Sequence, residues 1–529
     1  MKILLKYKAE ILVFLIVIFS LFIRLGDYPN IFDSCVEWAI HPQVNNVVDN
    51  VHYQNDGPTW AWTEMYQHVS GRSPIYSFLI ESGLRLFGLS LLGTRFFTTI
   101  LSFLSLILLY IFIKKYSNKQ LGLLLILFLG TSPWYLIHAR SGGIIGLSLN
   151  LVIIAISLTG LFLHKRANKK HSAIFAVLSA ISIALLPYGH VITRVVPIFL
   201  ILLIIFYFKR LPKLSIFVFV ITLLLFISIQ IPTWEQSVSN YFNARGESMV
   251  NDLNPLKNPE TEKFDIKEKL LSNTRLQIKY LLGLNDIQNF WDPNIAHSYW
   301  IIDEVLFPRS LVTFFLFGLY LSIRKLFTSK KTLQLFMLSV FVAGIIPGLF
   351  AKTGAPNPAR DLLMVLPIYF SITQAIYLIY RNIKFRYKKT ILLVFIIAVV
   401  IYQLNNFFFY PKHIYDDFKN TNYKIGYFIR DNNTYLKGKK ILVEETKTFG
   451  DYSYVAMRWA GDKNFQKKLD SNELILLRNT NQEAVKKLIE KDYFDLIILE
   501  KINTLEETLK QKTNYSLSEK DNFKVYTKE

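Results

Sequence analysis

One feature constrains this chain more than any other: uninterrupted apolar runs return again and again between residues 11 and 409. Each is of the length that crosses a hydrocarbon core, about 20 residues. A surface helix of a soluble domain is apolar along one stripe, whereas these runs are apolar all round. Only 19% of the residues are charged, below the roughly 25% of ordinary soluble chains. A soluble enzyme is therefore excluded, and the chain reads as an α-helical polytopic membrane protein. We place spans near 11–25, 93–113, 120–137, 142–164, 172–188, 191–208, 214–232, 309–323, 332–350, 361–380 and 390–409, eleven in all.

The net charge of +21 raises the question of a nucleic-acid partner, and its location answers it. Alternate connections carry the basic clusters: Lys2, Lys6 and Lys8; Lys114, Lys115 and Lys119; Lys165, Arg166, Lys169 and Lys170; Lys209, Arg210 and Lys213. Arg324, Lys325, Lys330 and Lys331 follow, then Arg381, Lys384, Arg386, Lys388 and Lys389. These 22 basic residues, less Glu10 beside the first of them, equal the whole excess of 21. The charge is a topology signal, and no nucleic acid is expected. By the positive-inside rule the N-terminus is cytoplasmic, and an odd number of spans exports the C-terminus. The first span follows its lysines as a signal peptide would, but Arg24-Leu25-Gly26-Asp27-Tyr28-Pro29 replaces a small-residue cleavage site, so a retained anchor is expected. Lone Cys35 excludes an intrachain disulfide, and the Lys, Ile and Asn bias fits a prokaryotic plasma membrane.

A membrane domain over 1–409 then exports two loops, 26–92 and 233–308, and is followed by a soluble domain, 410–529. Within the first loop, Pro74 to Leu92 carries apolar residues interrupted by Glu81 and Arg85, the pattern of an interfacial helix lying against the outer leaflet. In the tail, the β-rich runs 441–443 and 494–499 flank a helical pattern over 482–491, which predicts a small α/β domain. The tail shows no phosphate loop or metal-ligand spacing, and no repeat of 20 to 50 residues or low-complexity linker stands out in the sequence.

Four cations break the charge rule on the exported side: Arg140, Arg194, Lys352 and Arg360. A cation beside apolar helix ends must be solvated or paired, and a lipid phosphate is one natural partner. An arginine snorkelling to headgroups is the plainer alternative for each. Their contexts recur: Trp134 to Arg140, Pro187-Tyr188-Gly189-His190 before Arg194, and Pro356-Asn357-Pro358-Ala359-Arg360-Asp361 each join a proline, or in the first case Pro133 just before it, to a cation. Several helix ends sharing one anionic ligand would explain the set. His138 and His190 read equally as ordinary interfacial histidines, and Arg360-Asp361 as a charge arrangement at a helix start.

The first loop holds the acids Asp27, Asp33, Glu37, Asp49, Asp56 and Glu64. A carboxylate near the bilayer can deprotonate an acceptor hydroxyl, although most acids in such a loop only solvate it. Asp33 is the first candidate because it lies closest beyond Arg24-Leu25 and Pro29, and Glu37 is the second, on the same face if the segment is helical. Arg72, in Gly71-Arg72-Ser73-Pro74-Ile75-Tyr76, places a cation at the start of the interfacial helix.

Together these residues resemble the lipid-carrier-dependent membrane glycosyltransferases of the GT-C superfamily, nearest to bacterial relatives of protein O-mannosyltransferases and of the aminoarabinose transferase (glycosyltransferase families 39 and 83). The resemblance runs through Arg24-Leu25, Pro29 and Asp33; Gly71 to Tyr76; Leu86-Phe87-Gly88; Gly93-Thr94-Arg95; Thr131-Ser132-Pro133-Trp134; His138-Ala139-Arg140; and Tyr188, Arg194 and Pro197. It implies a polyprenyl- or dolichyl-phosphate sugar donor, an exported active site, Asp33 as general base with inversion, and Arg72 with the helix-end arginines at the departing phosphate. Tyr188, His190 and Arg360 join Arg140 and Arg194 as candidate donor-binding residues. Two acids of the family pattern are absent: Ser34 follows Asp33, and no acid lies in Ser141 to Gly146. Metal independence and no cofactor are therefore expected, with a protein, lipid or glycan as acceptor. Two other functions compete: a transporter or flippase of a lipid-linked glycan, and a glycan ligase or polymerase. A transporter would concentrate ionisable residues and broken helices at the midplane, whereas here the ionisable residues sit at the outer ends.

Overall fold

A computed structural model describes residues 7–26, 74–88, 90–140, 142–164, 169–189, 193, 195–241, 266–282, 307–328, 332–349 and 361–409. Towards the C-terminus it describes 425–426, 428–429, 431–444, 468, 471, 473–477, 482–500, 509, 512, 514–519 and 523–528. The helices of the first part are α1 (Lys8–Phe22), α2 (Pro74–Phe87), α3 (Leu91–Tyr116), α4 (Lys119–Gly130), α5 (Pro133–Arg140), α6 (Ile144–His164), α7 (Lys169–Leu185) and α8 (Val196–Tyr207). They continue as α9 (Lys213–Tyr241), α10 (Ile266–Leu281), α11 (Val312–Leu326), α12 (Thr332–Leu349), α13 (Val365–Asn382) and α14 (Lys388–Phe408).

Every expected span coincides with an apolar helix, but the lengths differ. Among the described residues, five helices are long and apolar enough to cross a membrane, six if a bent pair is one span. Helix α1, with 15 residues, rises only about 22 Å at 1.5 Å per residue, short of a roughly 30 Å core. The bent pair is α4 and α5, turned by 67° where a single span was expected over 120–137. Pro133 causes the break, since its ring cannot continue the α4 hydrogen-bond ladder but suits the first position of α5. Thr131 Oγ1 fills the gap, 2.8 Å from Leu127 O and 2.7 Å from Gln403 Oε1, with one proton to donate to either acceptor.

Side-chain caps begin α3 and α4, where Ser90 accepts from Gly93 N and Asn118 from Leu121 N. Lysines and arginines then occupy the last turns of α3, α11 and α13, the favourable end of each helix dipole. Among the described residues, contacts join several of the basic connections. Lys119, at the start of α4, lies 2.5 Å from Glu10 in α1, and Tyr110 near the end of α3 donates to the same carboxylate. Tyr207 in α8 meets Thr332 in α12 at 2.8 Å. These contacts bring the start of α1 to the connection between α3 and α4, and the end of α8 to the start of α12.

The core lies between α3, α6 and α13, with α6 buried nearly throughout and α14 largely exposed. Within it, Asn150 of α6 donates to Ser102 Oγ at 2.6 Å and accepts from Ser105 and from Tyr135 of α5. Polar groups in an apolar bundle are tolerated when they satisfy one another in this way. Helix α2 exists as expected, yet Tyr76, Ile80 and Leu84 are fully buried in the main core, so its apolar stripe packs on protein. A Cβ on Gly83 would overlap the carbonyl oxygen of Gly93, which shows how closely α2 meets α3.

The C-terminal residues form a five-stranded sheet, β1 (Ile441–Glu444), β2 (Leu474–Leu477), β3 (Leu496–Glu500), β4 (Tyr515–Glu519) and β5 (Phe523–Lys528), with α15 (Gln482–Glu490) between β2 and β3. Its order is β2-β1-β3-β5-β4, with β1 parallel to β2 and β3 (Ile441↔Leu474, Ile441↔Leu496), and β5 antiparallel to β3 and β4. Two apolar clusters cover its faces: Ile441, Val443 and Ile498 belong to one, Leu442, Ile497 and Leu499 to the other. Burial on both sides explains why these strands read as continuous apolar runs. Strands β2, β4 and β5 were not expected from sequence.

Candidate functional site

The end of the bundle opposite the basic clusters is built around the exit of α1. Helix α1 ends with Arg24 in the left-handed region, φ +53, a conformation that ordinarily favours glycine. Two buried arginines from other helices hold that exit. Arg140, the last residue of α5, is fully buried and donates from Nη1 to Ser20 O and from Nη2 to Ile23 O, both at 2.6 Å. Its guanidinium also lies 5.2 Å from the ring centres of Phe407 and Phe408, at the end of α14. Arg95, one turn into α3, is fully buried and donates to Leu25 O at 3.2 Å. The last carbonyls of a helix carry partial negative charge and lack partners within the helix, so cations are their natural complement.

Thr99 of α3 donates to Ala139 O at 3.1 Å, fixing the turn that carries Arg140. Gly142, φ +71, packs so closely on the carbonyl of Thr94 that a side chain has no room. The ends of α1, α5 and α14 and the start of α3 are therefore one interlocked unit, from which the first loop departs toward Asp33. A second pinned point lies between α7 and α8. Thr193 Oγ1 donates to Leu186 O at 2.6 Å, and a Cβ on Gly189 would crowd Ser148 of α6. A third joins α10, α12 and α13: fully buried Asp361 accepts from Gln277 Nε2 at 2.8 Å, and Asn273 Nδ2 donates to Leu349 O at 2.8 Å. Gly348 leaves the room for that contact.

Of the residues singled out in the sequence, Arg140 and His138 are placed with their side chains, His138 buried beside the Trp134 ring, and Tyr188 by its backbone, in the short 3-10 helix Leu186–Tyr188. Asp33, Glu37, Arg72, His190, Arg194 and Arg360, with Lys352, lie outside the described residues. Three of them have a pinned point on a described flank: Leu25 before Asp33, Gly189 and Thr193 around His190, and Asp361 after Arg360, while Arg72 is followed by Pro74 at the start of α2. Arg140 is not the snorkelling arginine that was one reading of it. It is buried in protein, gripping a helix end. Sequence reasoning passed over Arg95, Asp361 and Gln277 as site residues. For Arg95 the signal was present, a lone cation inside an apolar run. Among the described residues, no three His, Cys, Asp or Glu side chains are grouped to hold a metal ion.

Residues 71–234 match the family model described as dolichyl-phosphate-mannose-protein mannosyltransferase. No curated protein sequence matches the chain. Among solved structures, ArnT from Cupriavidus metallidurans bound to undecaprenyl phosphate superposes with a TM-score of 0.54 at 8% identity, covering 98% of this chain and 97% of that one. Its apo form gives 0.51 at 8%, with 93% and 96% covered. The archaeal oligosaccharyltransferase AglB from Archaeoglobus fulgidus, in complex with an inhibitory peptide and a dolichol-phosphate, gives 0.52 at 11%, with 93% and 69% covered. At such identities the likeness is one of fold.

Proposed function

From the premise of a multi-pass membrane chain with the fold of the GT-C superfamily of glycosyltransferases, we propose that this protein transfers a sugar from a polyprenyl-phosphate-linked donor to an acceptor on the exported face of the membrane. The observation that carries the reading is the position of the family match. Residues 71–234 take in Arg72, Arg140, Tyr188, His190 and Arg194, so the matched stretch carries two of the four cations that break the charge rule on the exported side. The neighbouring fold solved with undecaprenyl phosphate supports the donor class.

In this mechanism Asp33 takes the proton of the acceptor hydroxyl, and Glu37 is the second acid. The acceptor oxygen bonds to the anomeric carbon as the bond from that carbon to the phosphate oxygen breaks on the opposite face, which inverts the centre. Polyprenyl phosphate leaves with the bonding electrons. Arg72, Arg194 and Arg360 complement its charge, with Tyr188 and His190 beside them. Arg140 acts on the geometry, by holding the α1 exit from which the loop bearing Asp33 departs. The apolar helices cross the membrane eleven times, residues 1–409 form the membrane domain, and 410–529 form an exported α/β domain.

The test is turnover by the purified protein in nanodiscs, supplied with a panel of polyprenyl-phosphate sugars and with membrane extracts as acceptor. Transfer that is abolished by Asp33→Asn while undecaprenyl phosphate still binds supports the mechanism. Undiminished transfer by that variant would remove Asp33 from its role, and absence of saturable undecaprenyl phosphate binding by folded protein would overturn the donor class. Translocation of a lipid-linked glycan without transfer would favour the transport reading.

A further inference from the structure

Helix α10 buries the wrong residues for a helix in water. Asn273 and Gln277 are buried at 1% and 2% exposure, while Leu271 and Ile278 are exposed at 63% and 53%. The buried pair explains itself, because both side chains hold the helix to the bundle: Asn273 to Leu349 O, the final residue of α12, and Gln277 to Asp361, immediately before the start of the helical turn Leu362–Met364. The exposed pair has no such account.

The remaining positions sort by helical geometry. At 3.6 residues per turn, Asn273, Gln277 and Leu281 share the face toward the bundle. Leu271 and Ile278, two turns apart, form a second stripe. Arg275 and Lys279, exposed and four residues apart, form a third, beside exposed Ser272. The helix has four basic residues and one acid, Glu268. A helix covered by a soluble protein partner needs one apolar face and one solvated face. Three sectors, protein, apolar and cationic, are what a helix needs when it lies along a bilayer surface against a membrane bundle.

Its height fits the same surroundings. The two anchors are the last carbonyl of α12 and the residue preceding the 3-10 turn that leads into α13, where two apolar helices end and a hydrocarbon core gives way to headgroups. Val342, in α12, is also exposed, so the outer surface of the bundle itself is apolar as it approaches α10. The structure assigns α10 as an interfacial helix, seated on the bundle by Asn273 and Gln277, with Leu271 and Ile278 among the acyl chains and Arg275 and Lys279 among anionic lipid headgroups. This assignment goes beyond the donor chemistry proposed above and is independent of it.

The test uses the full chain in a Cys35→Ser background, carrying a fluorophore at Leu271→Cys, Ile278→Cys or Lys279→Cys, in nanodiscs of phosphatidylcholine with or without phosphatidylglycerol. Quenching by doxyl-labelled phospholipid is expected at 271 and 278 and several-fold less at 279, with aqueous iodide showing the reverse order. Lipid quenching at 271 should strengthen with phosphatidylglycerol, and the double variant Arg275→Gln, Lys279→Gln should lose that gain. Equal iodide quenching at all three positions would overturn the assignment by placing the helix in water. Protection of 271 and 278 from both quenchers would overturn it in favour of a protein partner or a second copy. Indifference to phosphatidylglycerol would overturn the headgroup contact.

Discussion

Arg140 is the residue on which the non-basic end of the bundle turns. It takes two carbonyls at the end of α1 with its two terminal nitrogens and rests against two rings of α14. Truncation to alanine strands two buried acceptors, each at about 1–3 kcal/mol, and opens a void. Arg140→Ala is therefore expected to lower the thermal midpoint of the purified protein in detergent. Arg140→Lys should recover part of the loss, since an ammonium reaches one carbonyl and lacks the planar fork. Equal midpoints for wild type and Arg140→Ala would show that the grip contributes nothing. In the sheet, Asp492 sits at φ +50 just after α15. Hydrogen bonds from Lys512 and Asn514 hold its carboxyl below the usual range, against the opposing effect of desolvation. A lowered folded pKa contributes stability that is full above the unfolded value, about 3.9, and is lost as pH falls through the folded value. Hydrogen exchange in the peptides around 482–500 should accelerate at acid pH in wild type, and Asp492→Asn, which tolerates the same backbone, should flatten that dependence. Tyr515, by contrast, stays a neutral donor to Phe494 O, its hydroxyl pushed up to about 12 by burial and by Asp492 and Asp495.

At the scale of elements, close approach decides the packing. Gly318 of α11 faces the backbone of Ser371 in α13 so tightly that a Cβ would overlap its carbonyl. Gly318→Ala must part the two helices, at a cost of about 1–3 kcal/mol. It should also disturb Gln374, which donates to Gly318 O and Ser322. A thermal midpoint unchanged by that substitution would contradict the contact. The apolar helices were legible in the sequence because an apolar run of sufficient length has few other uses, whereas α10, within the expected loop 233–308, was not. The bend at Thr131–Pro133 was less so, since a proline within a run can either kink a span or end it. Strands β4 and β5 were illegible for a plainer reason. Tyr515–Glu519 and Phe523–Lys528 mix lysine, serine, threonine and glutamate with few apolar residues, and an antiparallel pair ending at a sheet edge needs no more. Strand β2 is a run of four apolar residues, Leu474–Leu477, too short for periodicity to tell a strand from a helix segment.

For the whole molecule, the parity of basic and non-basic connections predicts which loops face outward. Cys35, the lone cysteine, lies in the first loop and is a ready reporter. A membrane-impermeant thiol reagent should label it in intact cells or spheroplasts; labelling only after permeabilisation would invert the topology and move the proposed site to the cytoplasm. The candidate site was legible in part. Arg140 was found from its breach of the charge rule, but its partners come from α1 and α14, 120 residues before it and more than 260 after, and no local pattern links them. Asp361 escaped for the same reason, because what makes it notable is burial against a distant side chain; Arg95 showed the local signal of a lone cation in an apolar run, but not its partner in α1.

What the sequence determined alone is what depends on composition within one window. It set the apolar helices, the end of each helix that bears the cations, and the β-rich runs of the tail, since length, hydropathy and charge are local properties read against a bilayer of known thickness. Tertiary structure alone decided which helix ends meet, that two arginines hold the exit of α1 by its carbonyls, and that α10 turns its amides inward and its leucine and isoleucine outward. Those outcomes rest on buried hydrogen bonds between groups far apart in the chain, whose value is settled only once the surrounding bundle has removed water from both partners.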